Sequence, residues 1–190
     1  MLRSQIRTRL LTALAVASLV AATASPARAQ ATVTKETAAS VKAAFSADLD
    51  NLQQKFVGLA QAFPQDKYSW RPMDGVRSVS EVLVLAAMEG YGFIPSGFGG
   101  KPGIAQDEMG KLRTLTDKAQ IIEHLNKAFA HAKKEVDAAD PATLTGTHKL
   151  FGRDLTTPQV AVFIGGDLHE HLGQLIAYAR MNHIVPPWSK

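Results

Sequence analysis

The 190-residue chain contains no cysteine. That absence excludes disulfides, thiolate metal sites and cysteine nucleophiles, so any metal must rest on His, Asp or Glu. No hydrophobic run is long enough to span a membrane. The apolar stretch from Leu10 to Ala22 has 13 residues, too few to cross a hydrocarbon core of about 30 Å as a helix, and no second such segment follows, so no permanent membrane anchor is expected. Also missing are a Gly-rich phosphate loop with a following Lys, a nucleophile elbow, a His-Glu-x-x-His pair and a basic aromatic stripe. Nucleotide and nucleic-acid binding are therefore disfavoured.

Acidic residues are absent from the first 29 positions, which hold Arg3, Arg7, Arg9 and Arg28. The net charge of +4 thus belongs to that end, and the remaining residues balance at 17 basic and 17 acidic side chains. A formally neutral domain has no electrostatic case for an acidic partner. Basic residues, then an apolar stretch, then Ala27-Arg28-Ala29 ahead of Gln30 are the three parts of a secretory signal peptide. The expectation is removal of residues 1–29 and a secreted protein, periplasmic in a Gram-negative source, with a single domain over 30–190. A cysteine-free chain suits an oxidising compartment.

Apolar spacing predicts an all-α fold of four helices. Phe45, Leu49, Leu52, Phe56, Leu59 and Phe63 alternate spacings of 4 and 3, one face of a long first helix that Pro64 ends. Ser78 with Glu81 forms a capping box that opens a second helix running to about Phe93. Residues 94–115 hold many Gly and Pro and read as a long loop, a frequent place for function. A third helix begins near Thr116, with Ile122, Leu125, Phe129, Ala132 and Val136 inward, and stops at Asp140-Pro141. After a polar connector, Thr157 as cap and Pro158 at the first helical position start a fourth helix reaching about Asn182. No strand pattern stands out, and the elements define a four-helix bundle.

The fourth helix carries a polar stripe where a bundle should be apolar. Asp167, His171, Gln174 and Tyr178 lie at i, i+4, i+7 and i+11. Inward polar groups cost free energy unless they are bonded or coordinate something. An Asp and a His one turn apart can share a divalent ion, or can form an internally satisfied pair stacked on Gln174 and Tyr178. Gly165-Gly166 offers another structural account, a helix break with Asp167 re-capping the second half. His124 and His131 fall at the edge of the third helix, His148 in a connector and His183 at a helix end, while His169 points to the opposite side of the fourth helix from the stripe. Trp70 and Trp188 read as packing anchors.

Two segments carry a family resemblance: Lys67 to Pro72 with Val76 to Leu83, and His169-Glu170-His171-Leu172-Gly173-Gln174 through Tyr178 and Arg180 to Pro186-Pro187. Together they resemble the DinB-like superfamily of four-helix bundles over nearly all of the chain after residue 29. The resemblance implies a divalent metal on three histidines, one on the second helix and an H-x-x-x-H pair on the fourth. His171 matches the last of these. The partner four residues earlier is Asp167, and the second-helix position is Leu85, which cannot bind a metal. Glu89, one turn beyond Leu85 and leaning back toward it, is the candidate third donor.

Members of the family with intact triads include metal-dependent transferases and isomerases that use small thiols. With two of three histidines replaced, the resemblance implies a degenerate site holding one divalent ion, Zn²⁺ or Ni²⁺, weakly or not at all. The leading expectation is a small-molecule-binding or non-catalytic bundle with a pocket between the second and fourth helices near Leu85, Gln174 and Tyr178. The competing one is a metal-dependent thiol transferase, isomerase or hydrolase using Asp167 and His171. A small molecule is the implied partner, and a homodimer through helix faces is compatible with the family.

Overall fold

The structure, a computed structural model, describes residues 32–189. The signal peptide read from residues 1–29 lies outside the described residues. Among the described residues are six α-helices and one hairpin, joined in places by short 3₁₀ turns: α1 (Lys35–Ala62), α2 (Val79–Met88), α3 (Ile94–Gly97), α4 (Gln106–Leu112), α5 (Lys118–Ala138), β1 (Thr147–Leu150), β2 (Arg153–Thr156) and α6 (Thr157–Met181). The helical path of α2 runs through a π turn, Glu89–Phe93, into α3. α1 packs on α5 and α6, and α2 packs on the same two, so the four elements foreseen from spacing form the bundle. Among the described residues no helix is long and apolar enough to cross a membrane.

Local chemistry sets the boundaries. Thr34 caps α1 by accepting from the backbone N–H of Thr37, and Phe63, held extended by the following Pro64, ends it. The face of Phe45, Leu49, Leu52, Phe56 and Leu59 is buried throughout. Each such side chain contributes about 1.5–3 kcal/mol of apolar burial. The Ser78–Glu81 capping box is present in both directions, with the Ser78 N–H donating to Glu81 at 2.6 Å. Asp117 caps α5, whose inward face centres on Ile121 rather than Ile122.

Three features differ from the sequence expectation. The loop foreseen at 94–115 contains α3 and α4. Pro95 sits in the first turn of α3, where a missing N–H costs nothing, and Gly97 is needed because a Cβ there would stand 2.5 Å from Ile164 Cδ1. Between the two helices the chain is pinned to α5: the Lys101 N–H donates to Glu135 at 2.9 Å, and His131 meets the Lys101 carbonyl at 2.8 Å. The connector contains a hairpin. Phe151 and Gly152 both take positive φ, 49° and 73°, the backbone of a type I′ turn, and His148 pairs with Leu155 across it. Finally, Thr156 rather than Thr157 caps α6. Thr157 is fully buried, with its hydroxyl donating to the Leu144 carbonyl at 2.6 Å.

α6 runs unbroken through Gly165-Gly166, so Asp167 does not re-cap a second helix. Its C-terminus closes with the Ile184 N–H on the Ala179 carbonyl and the His183 N–H on Arg180, the Schellman pattern, with His183 at φ 58° in the position glycine usually holds. Trp70 packs edge-on against Tyr178 at 5.4 Å, and the Pro187–Trp188 tail lies over Gly58 of α1.

Candidate metal centre

Glu89 opens the π turn at the end of α2, and Asp167 and His171 stand one turn apart on the facing side of α6. Gly90 permits the approach behind Glu89, since a Cβ there would lie 2.9 Å from both the carbonyl carbon and the Cβ of Ala128 on α5. π turns of this kind recur at functional sites. His171 Nε2 lies 3.4 Å from Glu89 Oε1 and 3.7 Å from Asp167 Oδ1, and one donor atom from each of the three falls within 4.8 Å of the others.

Burial makes this group unusual. The Glu89 residue is 6% exposed, and its Oε2 has no hydrogen-bond partner. A buried carboxylate is costly unless something compensates it. Desolvation pushes the Glu89 carboxyl above its ordinary range, with the His171 ring pulling the other way. His171 is raised as well, chiefly by the Glu89 carboxylate, with burial and the Arg77 charge opposing.

Gln174 and Tyr178 are engaged elsewhere. The Gln174 amide donates to the Tyr178 hydroxyl at 2.7 Å, and that hydroxyl donates to the Arg77 carbonyl at 2.9 Å. They thereby fix the segment that leads into α2. Leu85 lines a cleft whose wall is formed by residues 71–88 and Arg113; Gln174 and Tyr178 are not among its lining residues.

The remaining histidines have other contacts. His169 pairs with Asp48 of α1 at 2.9 Å on the exposed side of α6. His124 meets the Tyr91 hydroxyl at 3.2 Å, and His148 meets the Thr157 hydroxyl at 3.2 Å. The arginines of the cleft, Arg71, Arg77 and Arg113, escaped sequence reasoning. They sit in a turn and at a helix end, 36 residues apart at the widest step, with no period to connect them.

A bundle of this topology, with a carboxylate on its second long helix facing an i, i+4 Asp/His pair on the last, defines a class of helical proteins with an inward donor cluster. A family model of the DinB superfamily matches residues 48–175, and the chain belongs to that superfamily. The matched region contains Glu89, Asp167 and His171. No curated protein is similar enough to the chain to be matched with it.

The donors fit a divalent ion. Two ligand atoms about 2.1 Å from one ion in a tetrahedral arrangement stand about 3.4 Å apart, close to the 3.4 and 3.7 Å between His171 and the two carboxylates. The other oxygen of the Glu89 carboxylate, Oε2, is buried with no partner, so the group is left undercompensated without an ion.

Proposed function

We propose that Glu89, Asp167 and His171 together hold one divalent cation, and that the protein is a metal-dependent DinB-superfamily protein acting on a small molecule. The observation that carries this reading is the buried Glu89 carboxylate, which sets Oε1 3.4 Å from His171 and leaves Oε2 without a partner. A buried carboxylate needs compensation, and a bound cation would supply it. The geometry therefore favours the metal-dependent alternative over the inert one.

An ion held by three protein donors supplies Lewis acidity and an open position for water or substrate. Two carboxylates in place of two imidazoles make the donor set harder, which widens the candidates from Zn²⁺ and Ni²⁺ toward Mn²⁺ and Fe²⁺. The chain's own contributions are positional. Glu89, carried by the end of α2, anchors its carboxylate out of water. Asp167 is more exposed, with its side chain 37% accessible, and forms the solvent side. Gln174 and Tyr178 steady the backbone of Arg77, and Leu85 offers an apolar surface where the family has histidine.

A second reading has its own support: at 3.4 Å the Glu89 carboxylate and a protonated His171 satisfy each other as an ion pair without any metal. One experiment separates the two. Protein purified without a His tag is tested by elemental analysis and reloaded with Zn²⁺, Ni²⁺ or Mn²⁺ after chelation. About one ion per chain, lost in Asp167→Asn and His171→Gln, supports the metal site. An absence of metal before and after reloading leaves the ion pair.

We infer from residues 1–29 that the protein acts outside the cytoplasm after cleavage ahead of Gln30, in the periplasm where there is one. N-terminal sequencing of protein from a fractionated culture tests this. A mature chain beginning at Met1 in the cytosolic fraction overturns it.

A further inference from the structure

The segment that Tyr178 holds in place leads to a second feature. A cleft of about 370 Å³ is walled by the turn before α2, by α2 itself and by Arg113 at the end of α4. Its lining includes three arginines, Arg71, Arg77 and Arg113, against one acid, Glu81. Glu81 is already used: it caps α2 and pairs with Arg71 at 3.2 Å, while Arg71 also donates to the Val76 carbonyl at 2.8 Å. Among the described residues the side chains of Arg77 and Arg113 make neither a hydrogen bond nor an ion pair. The same lining includes the apolar side chains of Val84, Leu85 and Met88 on α2.

Guanidinium groups recognise oxyanions through paired N–H donors, and uncommitted ones lining a cleft together with apolar side chains suit a ligand with an acid group and a hydrocarbon body. We propose that this cleft binds a small organic oxyanion, a carboxylate or a phosphate ester, whose acid group pairs with Arg77 and Arg113 and whose body covers Leu85 and Met88. The cleft and the donor cluster are linked through the same two elements, α2 and α6. Leu85 is one helical turn before Glu89, and the backbone of Arg77 is bonded to Tyr178 of α6, two turns beyond His171. The binding itself rests on the arginines and the apolar side chains and needs no metal.

The test uses chelated, metal-free protein at low ionic strength, titrated with benzoate, phenyl phosphate and the neutral benzamide and followed by calorimetry or NMR. Saturable binding of at least one of the two acids, with benzamide much weaker, is expected, and the tighter acid identifies the headgroup. Arg77→Gln and Arg113→Gln should each weaken that binding about tenfold, as loss of a charge-assisted hydrogen-bond partner does. Both side chains are exposed, so the variants should keep the wild-type thermal midpoint, which is measured alongside. The proposal is overturned by no saturable binding of either acid, by equal affinity for benzamide, or by unchanged affinity in the double arginine variant. Failure of the metal reading would appear in the elemental analysis and leave these titrations as they are.

Discussion

Glu89 at the end of α2 and His171 on α6 face each other at 3.4 Å, and the second oxygen of that Glu89 carboxylate has no partner. One buried acid thus sets one oxygen beside His171 and leaves the other without a partner. Glu89→Gln keeps the shape and removes the charge. Metal affinity, measured by competition with a chromophoric chelator, should fall at least about 100-fold, more than the 10–100-fold typical of losing a residue that only supports a ligand by hydrogen bonding. In chelated protein the same change removes the carboxylate that raises the His171 pKa, so the stability that pair contributes below about pH 6.5 should be lost in the variant. Equal metal affinity in wild type and variant would remove Glu89 from the site.

Metal binding should also be visible as stabilisation. A ligand at 100 times its Kd adds about 2.7 kcal/mol to the folded state. For a domain of this size that is a rise in Tm of about 5–10 °C. Zn²⁺ added to chelated protein should produce it, excess EDTA should reverse it, and His171→Gln should abolish it. A midpoint indifferent to Zn²⁺, Ni²⁺ and Mn²⁺ would argue for the bare ion pair.

The four long helices were readable because their signals are local: the apolar spacing of Phe45 through Leu59, the Ser78–Glu81 box, and the Pro64 stop. The pairing of Asp167 with His171 was readable for the same reason, being one turn of one helix. Glu89 needed only the lean of helical side chains toward the N-terminus. What stayed hidden depends on tertiary contact. Gly97 looks like a breaker until Ile164 is placed against it. The hairpin turns on Phe151-Gly152, not the Asn-Gly or Asp-Gly that announces a type I′ turn, and it closes because Leu150 and Leu155 are buried and Phe151 stacks near Phe93 and Phe163. The arginine cleft joins residues from three separate elements, which no linear pattern encodes.

His148 provides a pH prediction away from the cluster. Burial lowers its pKa in the folded protein, so the unfolded chain, near 6.5, binds the proton first on acidification. Stability from the neutral ring is full above about pH 6.5 and is lost as pH falls from there toward the folded pKa. Denaturation curves of chelated protein between about pH 7.5 and pH 5 should therefore slope less steeply in His148→Asn than in wild type. Parallel slopes would show that the ring is not titrating between the two states.

At the end of α6, His183 adopts φ 58°, a left-handed conformation that costs an L-residue about 1–2 kcal/mol. Glycine relieves that strain but gives the unfolded chain more freedom, offsetting roughly 0.5–1 kcal/mol. His183→Gly should therefore stabilise the protein by roughly 0.5–1 kcal/mol, measured by urea denaturation. A loss of stability would mean that the His183 side chain contributes more than its backbone costs.

Two glycine-to-alanine changes should have opposite signs. At Gly90 the new methyl group would lie 2.9 Å from the backbone carbonyl carbon of Ala128, an atom that cannot rotate away, so α2 and α5 must separate. Overpacking of this kind costs about 1–3 kcal/mol. Because Glu89 is the neighbouring residue, the displacement should also weaken metal binding without touching a donor. Gly173, on the exposed side of α6, has nothing within 4 Å of its would-be Cβ. There alanine only restores helix propensity and should stabilise by about 0.5–1 kcal/mol, although the residue lies two positions from His171. If Gly90→Ala lowers metal affinity while Gly173→Ala leaves it unchanged, the spacing between α2 and α5 governs the site rather than the general stability of the bundle. If both variants bind metal as wild type does, the donor cluster tolerates helix displacement, and the close approach at Gly90 serves packing alone.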